Sequence, residues 1–363
     1  MDRRQLLLGG TALALAPSLA LPARAAAEFT PTPGPWRSFE ITTKISLAAG
    51  SQDAQAWIPI PAFTAQDWMR PGETSWTLAA GDAAIATDPA SGARMVHVRW
   101  PNGAATDITV VSQFSTRDRA VGLHPSGVPP LDPEQRKRFT AATGQFNFDG
   151  IVKTTSDSIV AGASGDVDKA RRIYEWIVDN TFRDPKTRGC GLGDVESMLK
   201  TGNLGGKCAD LNALYVGLAR AAGLPARDVY GIRVAPSAFG YKSLGASSPT
   251  ITKAQHCRAE VFLDGIGWLP VDPADVRKVV LEEPPGHLKL DDPKVLTARK
   301  ALFGSWETNW LAYNDANDVR LPGSSGPMLH FLMYPQAETI SGRLDPLDPG
   351  DFKYTITARQ LPA

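Results

Sequence analysis

A thiol, an imidazole and a carboxylate are the groups in this 363-residue chain whose types and setting could carry out acyl chemistry. The thiol is Cys208, within GGKCADLNALYVGLARAAGLPARDVYGIR, Gly205 to Arg233. There Leu211, Leu214, Tyr215, Leu218, Ala219 and Ala222 recur at helical spacing, Gly223 suits the residue after a helix end, and Pro225 cannot prolong one. The spacing predicts a helix from about Cys208 to about Ala222. At its mouth, free amides and the positive end of the dipole favour a thiolate, while Gly205 and Gly206 let the backbone come close and offer amide donors. A cysteine so placed can be a nucleophile. It can equally be a small buried hydrophobe, as most free cysteines are, and this stretch alone leaves the two level.

The imidazole and carboxylate lie in AQHCRAEVFLDGIGWLPVDP, Ala254 to Pro273, which reads as a strand, a DGIG turn and a returning strand. Cys257, Ala259, Val261 and Leu263 form the apolar face; His256, Arg258, Glu260 and Phe262 form the other. A lone histidine there is ordinarily a surface residue. Asp272, near the end of the returning strand, is what could hold its ring. A regular hairpin centred between Gly265 and Ile266 pairs Ala259 with Asp272 and puts that carboxylate on the wrong face, so a bulge near Gly267 or Pro270 is expected. Cys208, His256 and Asp272 with Cys190 or Cys257 are also metal-ligand types, but no CxxC or HxxxH spacing accompanies them. No metal or cofactor is expected.

In this order, GGKCADLNALYVGLARAAGLPARDVYG, QHCRAEVFL and GWLPVDPADVRK resemble the transglutaminase-like core, a branch of the papain-like superfamily, over about Asp166 to Lys278. The helix IYEWIVDNTF is similar to the one that precedes the cysteine in that family, and the strands around AWIPIP to the all-β region of its exported bacterial members. The resemblance implies that Cys208 is the nucleophile, His256 the base that deprotonates it and later the acid for the leaving group, and Asp272 the orienting carboxylate. It matches Trp268 to the tryptophan before that aspartate. The Cys208 amide is a donor for the oxyanion, and Asn203, Trp176 and Trp268 are candidates for oxyanion or substrate contacts. Asp210 either caps the helix or meets substrate. Such a site forms a thioester from a peptide, glutamine or isopeptide amide. Water as acceptor makes a cysteine peptidase or amidase, favoured slightly by loops Pro185 to Gly205 and Ser237 to Thr252, which look open. An amine as acceptor makes a protein-crosslinking transglutaminase or a peptidoglycan transpeptidase, and a catalytically inactive binding protein is the further alternative.

The elements that must position these groups give an α+β fold, consistent with 33 Gly and 29 Pro. Residues 1–27 read as an export signal: Arg3 and Arg4, followed by Gln5, Leu6 and Leu7, resemble the twin-arginine type, with cleavage after Ala25 or Ala27. No later run of 18 apolar residues exists, so no stable membrane insertion is expected, and the protein should be periplasmic or secreted. Residues 29–125 alternate apolar and polar residues as a β-sandwich-like domain in five segments, on the fourth of which His97 faces outward without a role. Residues 126–165 read as linker and lead-in, 166–285 as the catalytic core, and 286–363 as an extension with a helix in DDPKVLTARKALFG. Its late strands, MLHFLMYP and FKYTITARQ, suit either the β-domain or the catalytic sheet. Lys plus Arg and Asp plus Glu each number 38, so no global field recruits nucleic acid; the partner expected is a peptide or protein, including cell-wall peptide. With Cys208 free, Cys190 and Cys257 remain to form a bridge or stay reduced in the core.

Overall fold

The structure is a computed structural model. It describes residues 28–47, 53–144 and 147–362, so the segment read from sequence as an export signal lies outside the described residues. Six strands follow in succession, all but the fourth on an alternation of apolar and polar residues: β1 (Arg37–Ser46), β2 (Ala54–Pro59), β3 (Met69–Leu78), β4 (Asp82–Thr87), β5 (Arg94–Trp100) and β6 (Asp107–Thr116). The one strand with no clear period-2 signal, β4, is a largely exposed edge strand paired to β5. Two sheets face each other across a core that includes Ile45 and Val110 on one side and Ala56, Ile58, Val98 and Trp100 on the other. His97 stacks on Trp57 and hydrogen-bonds Gln55 across the strand pair (3.0 Å).

Five helices follow: α1 (Pro133–Thr140), α2 (Gly150–Val160), α3 (Asp166–Asn180), α4 (Val195–Thr201) and α5 (Cys208–Ala221). The first two fall in the stretch read as linker and lead-in. Asp132 caps α1 by accepting from the Gln135 amide at 2.9 Å, with Pro133 in the first turn, a start signal masked by the surrounding prolines. In α2 the Ser156 hydroxyl donates to the Leu218 carbonyl of α5 (2.7 Å). The periodicity of α5 predicts one buried stripe, but all fourteen of its residues are buried. It ends as its sequence implies, with Gly223 left-handed at φ 83°.

Against α5 lies an antiparallel sheet in the order β9-β8-β7-β10, formed by β7 (Ala226–Arg233), β8 (Gln255–Leu263), β9 (Gly267–Val271) and β10 (Trp310–Asn314). Helix α6 (Pro273–Glu282) begins where β9 ends, and α7 (Pro293–Ala301) occupies the helical stretch read from sequence. The β8–β9 hairpin corrects the expected register. Ala259 pairs with Val271, Phe262 with Trp268 and Leu263 with Gly267 around a three-residue turn, in which Ile266 donates to the Leu263 carbonyl (3.0 Å). Gly265 and Gly267 supply the positive φ this turn needs, 79° and 95°. The odd residue is absorbed in the turn, so the ladder runs without a bulge and Asp272 lies beyond Val271 on the His256 face.

Of the two late strands, FKYTITARQ forms β13 (Tyr354–Gln360) and joins the sandwich, as do β11 (Gln336–Thr339) and β12 (Gly342–Arg343). In MLHFLMYP the strand is Leu329–Phe331, which pairs with Asn317–Val319 in a separate two-stranded sheet and joins neither the sandwich nor the sheet on α5. One sheet is ordered β13-β1-β6-β3, the other β12-β11-β2-β5-β4. Strand β13 also meets the loop before β8: the Ile251 amide donates to the Ile356 carbonyl (2.8 Å).

Candidate active site

Cys208 is the first residue of α5, where amides have no partner one turn back. Asp210 fixes that start. Its carboxylate accepts from the Lys207, Leu192 and Gly193 amides, each at 2.9 Å, tying the loop after Cys190 to the helix. The fit excludes side chains: a Cβ on Gly191, held at φ 96°, would lie 1.9 Å from an Asp210 oxygen. Asp210 is therefore a cap whose acceptors are spent on backbone.

His256 enters from β8. Its Nε2 lies 2.8 Å from an Asp272 oxygen and 3.4 Å from Asp275, while the Trp310 indole donates to the His256 carbonyl (2.8 Å). The other Asp272 oxygen caps α6 through the Asp275 amide (3.0 Å) and accepts from Asn212 of α5 at 3.3 Å. Behind these, Arg233 grips Asp275 with contacts of 2.5 and 2.7 Å, and Arg258 reaches Asp272 at 3.4 Å. Donor atoms of His256, Asp272 and Asp275 lie within 4.8 Å of one another, a set that could hold a cation. The two guanidinium groups already supply the positive charge there.

Cys190 and Cys257 are buried and unbridged and lie against the Cys208 sulfur, with the Cys190 thiol donating to the Gln255 carbonyl (3.4 Å). They flank it instead of forming the disulfide considered from sequence. These two thiols, together with the His256 imidazole, hold the Cys208 thiol well below its ordinary 9.0 against the opposing effect of burial. The Cys208 charge and burial push Cys190 up; burial, then Cys208, pushes Cys257 up. For His256, burial and Arg233 oppose the charge, but the Asp275 and Asp272 carboxylates outweigh them and raise it from 6.5 to about 9. Burial and Asp275 raise Asp272, whereas Arg233 and His256 keep Asp275 well below the usual carboxylate range despite its burial.

Cys208 and His256 open onto a cavity of about 550 Å³, with Asp272 behind the imidazole. The structure brings these three together and leaves the other candidates apart. Asn203 is exposed, its side chain accepting from the Gly205 amide (3.2 Å). Trp176 packs half-buried on the outer side of α3. Trp268 is wedged between Phe139 and Phe262 with Arg227 3.9 Å above its ring. None of the three lines the cavity. Gln255 does, with its side-chain nitrogen buried and without a partner. Sequence reasoning did not single it out, nor Asn212, whose place one turn after Cys208 was a usable signal.

Comparison with known proteins agrees with this geometry. The family model "Transglutaminase-like superfamily" matches residues 153–273. A protein of Haemophilus influenzae, itself uncharacterized, is 35% identical over 340 residues, covering 89% of this chain and 91% of that one. The structure of a candidate cysteine protease from Cytophaga hutchinsonii shares the fold with a TM-score of 0.50 and 13% identity, over 90% of this chain and 99% of the other. The periplasmic domain of TgpA from Pseudomonas aeruginosa is more remote, with a TM-score of 0.34 and 17% identity over 67% of this chain and 88% of that one.

Proposed function

The chain belongs to the transglutaminase-like superfamily, and within it we propose a thiol enzyme that cleaves peptide or side-chain amides through a Cys208 thioester. The observation that carries this is the Cys208 sulfur in contact with an imidazole whose other side is held by Asp272, at the wall of a cavity able to admit a peptide segment. With Nε2 on Asp272, Nδ1 is the ring nitrogen left to take the thiol proton. The thiolate adds to the amide carbonyl. The Cys208 amide at the start of α5 is a donor for the resulting oxyanion. His256 then passes its proton to the departing amine, and the acyl group stays on sulfur. Water, deprotonated by the now neutral His256, adds to the thioester and releases the acid, returning the thiol. Asp272 orients the ring and stabilises its charged form throughout. The twin-arginine pattern supports export, and among the described residues no helix is long and apolar enough to cross a membrane. Peptides and proteins outside the cytoplasm, cell-wall peptides included, are the substrates such a location offers.

Two measurements test this. Iodoacetamide at mildly acidic pH should alkylate Cys208 far faster in the wild type than in His256→Ala; equal rates overturn the pairing. Because His256 titrates near 9 and Cys208 below its ordinary value, the thiolate–imidazolium pair exists between those points. Amide turnover should therefore hold through neutrality and fall as pH rises through about 9, where the proton for the leaving amine is lost. Mass spectrometry of the products with added primary amine assigns the acceptor: acids support hydrolysis, and predominant amine adducts reassign the chain to crosslinking.

A further inference from the structure

We propose that the cleft selects acidic peptides, those with a carboxylate close to the amide to be cleaved; this rests on Cys208 being the nucleophile. The chain as a whole balances 38 cationic against 38 anionic residues. The cavity does not. Among the described residues its lining includes Arg183, Arg188, Lys207, Arg233, Lys253 and Lys278 and contains neither aspartate nor glutamate. Three carboxylates outside the lining meet part of that charge: Asp275 takes Arg233, Glu282 is shared by Arg183 and Lys278, and Asp345 takes Arg188. Lys207 and Lys253 have no carboxylate partner among the described residues. The Lys207 ammonium donates to the Thr187 carbonyl (2.7 Å), and Lys253 is exposed.

Their positions give that charge a direction. Lys207 immediately precedes the nucleophile, and Lys253 stands three residues before His256, so one lysine sits on the cysteine wall and the other on the histidine wall. Substrate in the cavity that holds thiol and imidazole meets two lysines without a carboxylate partner in a concave site, where a field of one sign is focused. The remaining lining is apolar in part, with Leu347, Pro349 and Phe352, a surface suited to peptide side chains more than to a polyanionic backbone. An amide substrate brings negative charge as a carboxylate, either on an aspartate or glutamate side chain or at a free C-terminus.

Iodoacetate and iodoacetamide test this on the full-length mature protein, because each alkylates sulfur with loss of iodide and they differ chiefly in charge. The quantity read is the ratio of their rates at Cys208, so a change in the thiol itself cancels. At low salt each of Lys207→Gln and Lys253→Gln should lower that ratio about 2- to 4-fold, the double variant more, and the differences should shrink at high salt. Lys253→Glu, at an exposed position, should lower it further. A ratio that none of these variants changes overturns the proposal. Failure of iodoacetamide to label Cys208 at all overturns the nucleophile instead, a separate result. With a pool of paired Glu and Gln peptides, each with free or amidated C-terminus, the wild type should consume carboxylate-bearing members faster and the double variant should lose the preference. Preference for Glu members assigns a side-chain carboxylate and preference for free C-termini the terminal one; equal consumption of all four overturns acidic selection.

Discussion

Cys208, His256 and Asp272 are 3%, 4% and 0% exposed, whereas Lys253 at the cleft rim is open to solvent and Lys207 is half-buried. The floor is held by groups that each have several partners: Asp272 accepts from His256, Asn212 and the Asp275 amide, and Asp275 is gripped by Arg233. The rim lysines face the cavity with no ion pair among the described residues. In a buried network every missing partner leaves an unmatched charge, so geometry is fixed and the groups cannot drift. At the rim, charge costs little to change and acts on what approaches. On the proposed function, one fold thus separates the chemistry from the choice of substrate.

Substitutions can break this contrast, beginning with the largest effect. Asp272→Asn should lower amide turnover by roughly 10³- to 10⁴-fold, since the amide can no longer stabilise the imidazolium or fix its tautomer. Turnover within tenfold of wild type would place Asp272 outside the mechanism. Next, Asp275→Asn leaves Arg233 buried without its carboxylate and should cost about 3–5 kcal/mol of stability in denaturant unfolding. A loss under about 1 kcal/mol would mean that the floor behaves like surface. Smallest, Asn203→Ala at an exposed loop should change stability by no more than about 0.5 kcal/mol and leave turnover unchanged. A large fall in turnover would restore it as an oxyanion donor.

The same contrast explains what the sequence made legible. The end of α5 was readable because Gly223, left-handed at φ 83°, and Pro225 act locally, through backbone conformations that neighbours cannot override. The five strands with clear alternation were readable for a like reason, and β4, which buries little, was not. Asp272 was singled out, but a regular register put it on the wrong face, because hairpin register depends on how many residues the turn takes up, and glycines permit either count. The Arg233–Asp275 pair, the two flanking thiols and Gln255 were out of reach. Each owes its position to packing between segments distant in sequence, as Cys190 shows by reaching Cys208 through the loop that Asp210 anchors. Trp268 was misleading because a tryptophan shortly before Asp272 suggests substrate contact, yet its ring faces Phe139, Phe262 and Arg227.

Strand β13 pairs with β1, Phe39 opposite Gln360, and through Ile356 it also holds the loop that carries Lys253. During synthesis β1 emerges early and must wait for nearly the whole chain before this edge can close. Contacts so far apart in sequence carry a high loop-closure cost and form late. The sandwich edge and the cleft wall are therefore completed together, in the last stage of folding. On the proposed reading, a growing chain has Cys208 long before it has the wall proposed to select what reaches it, and any such specificity would arise with the final strand.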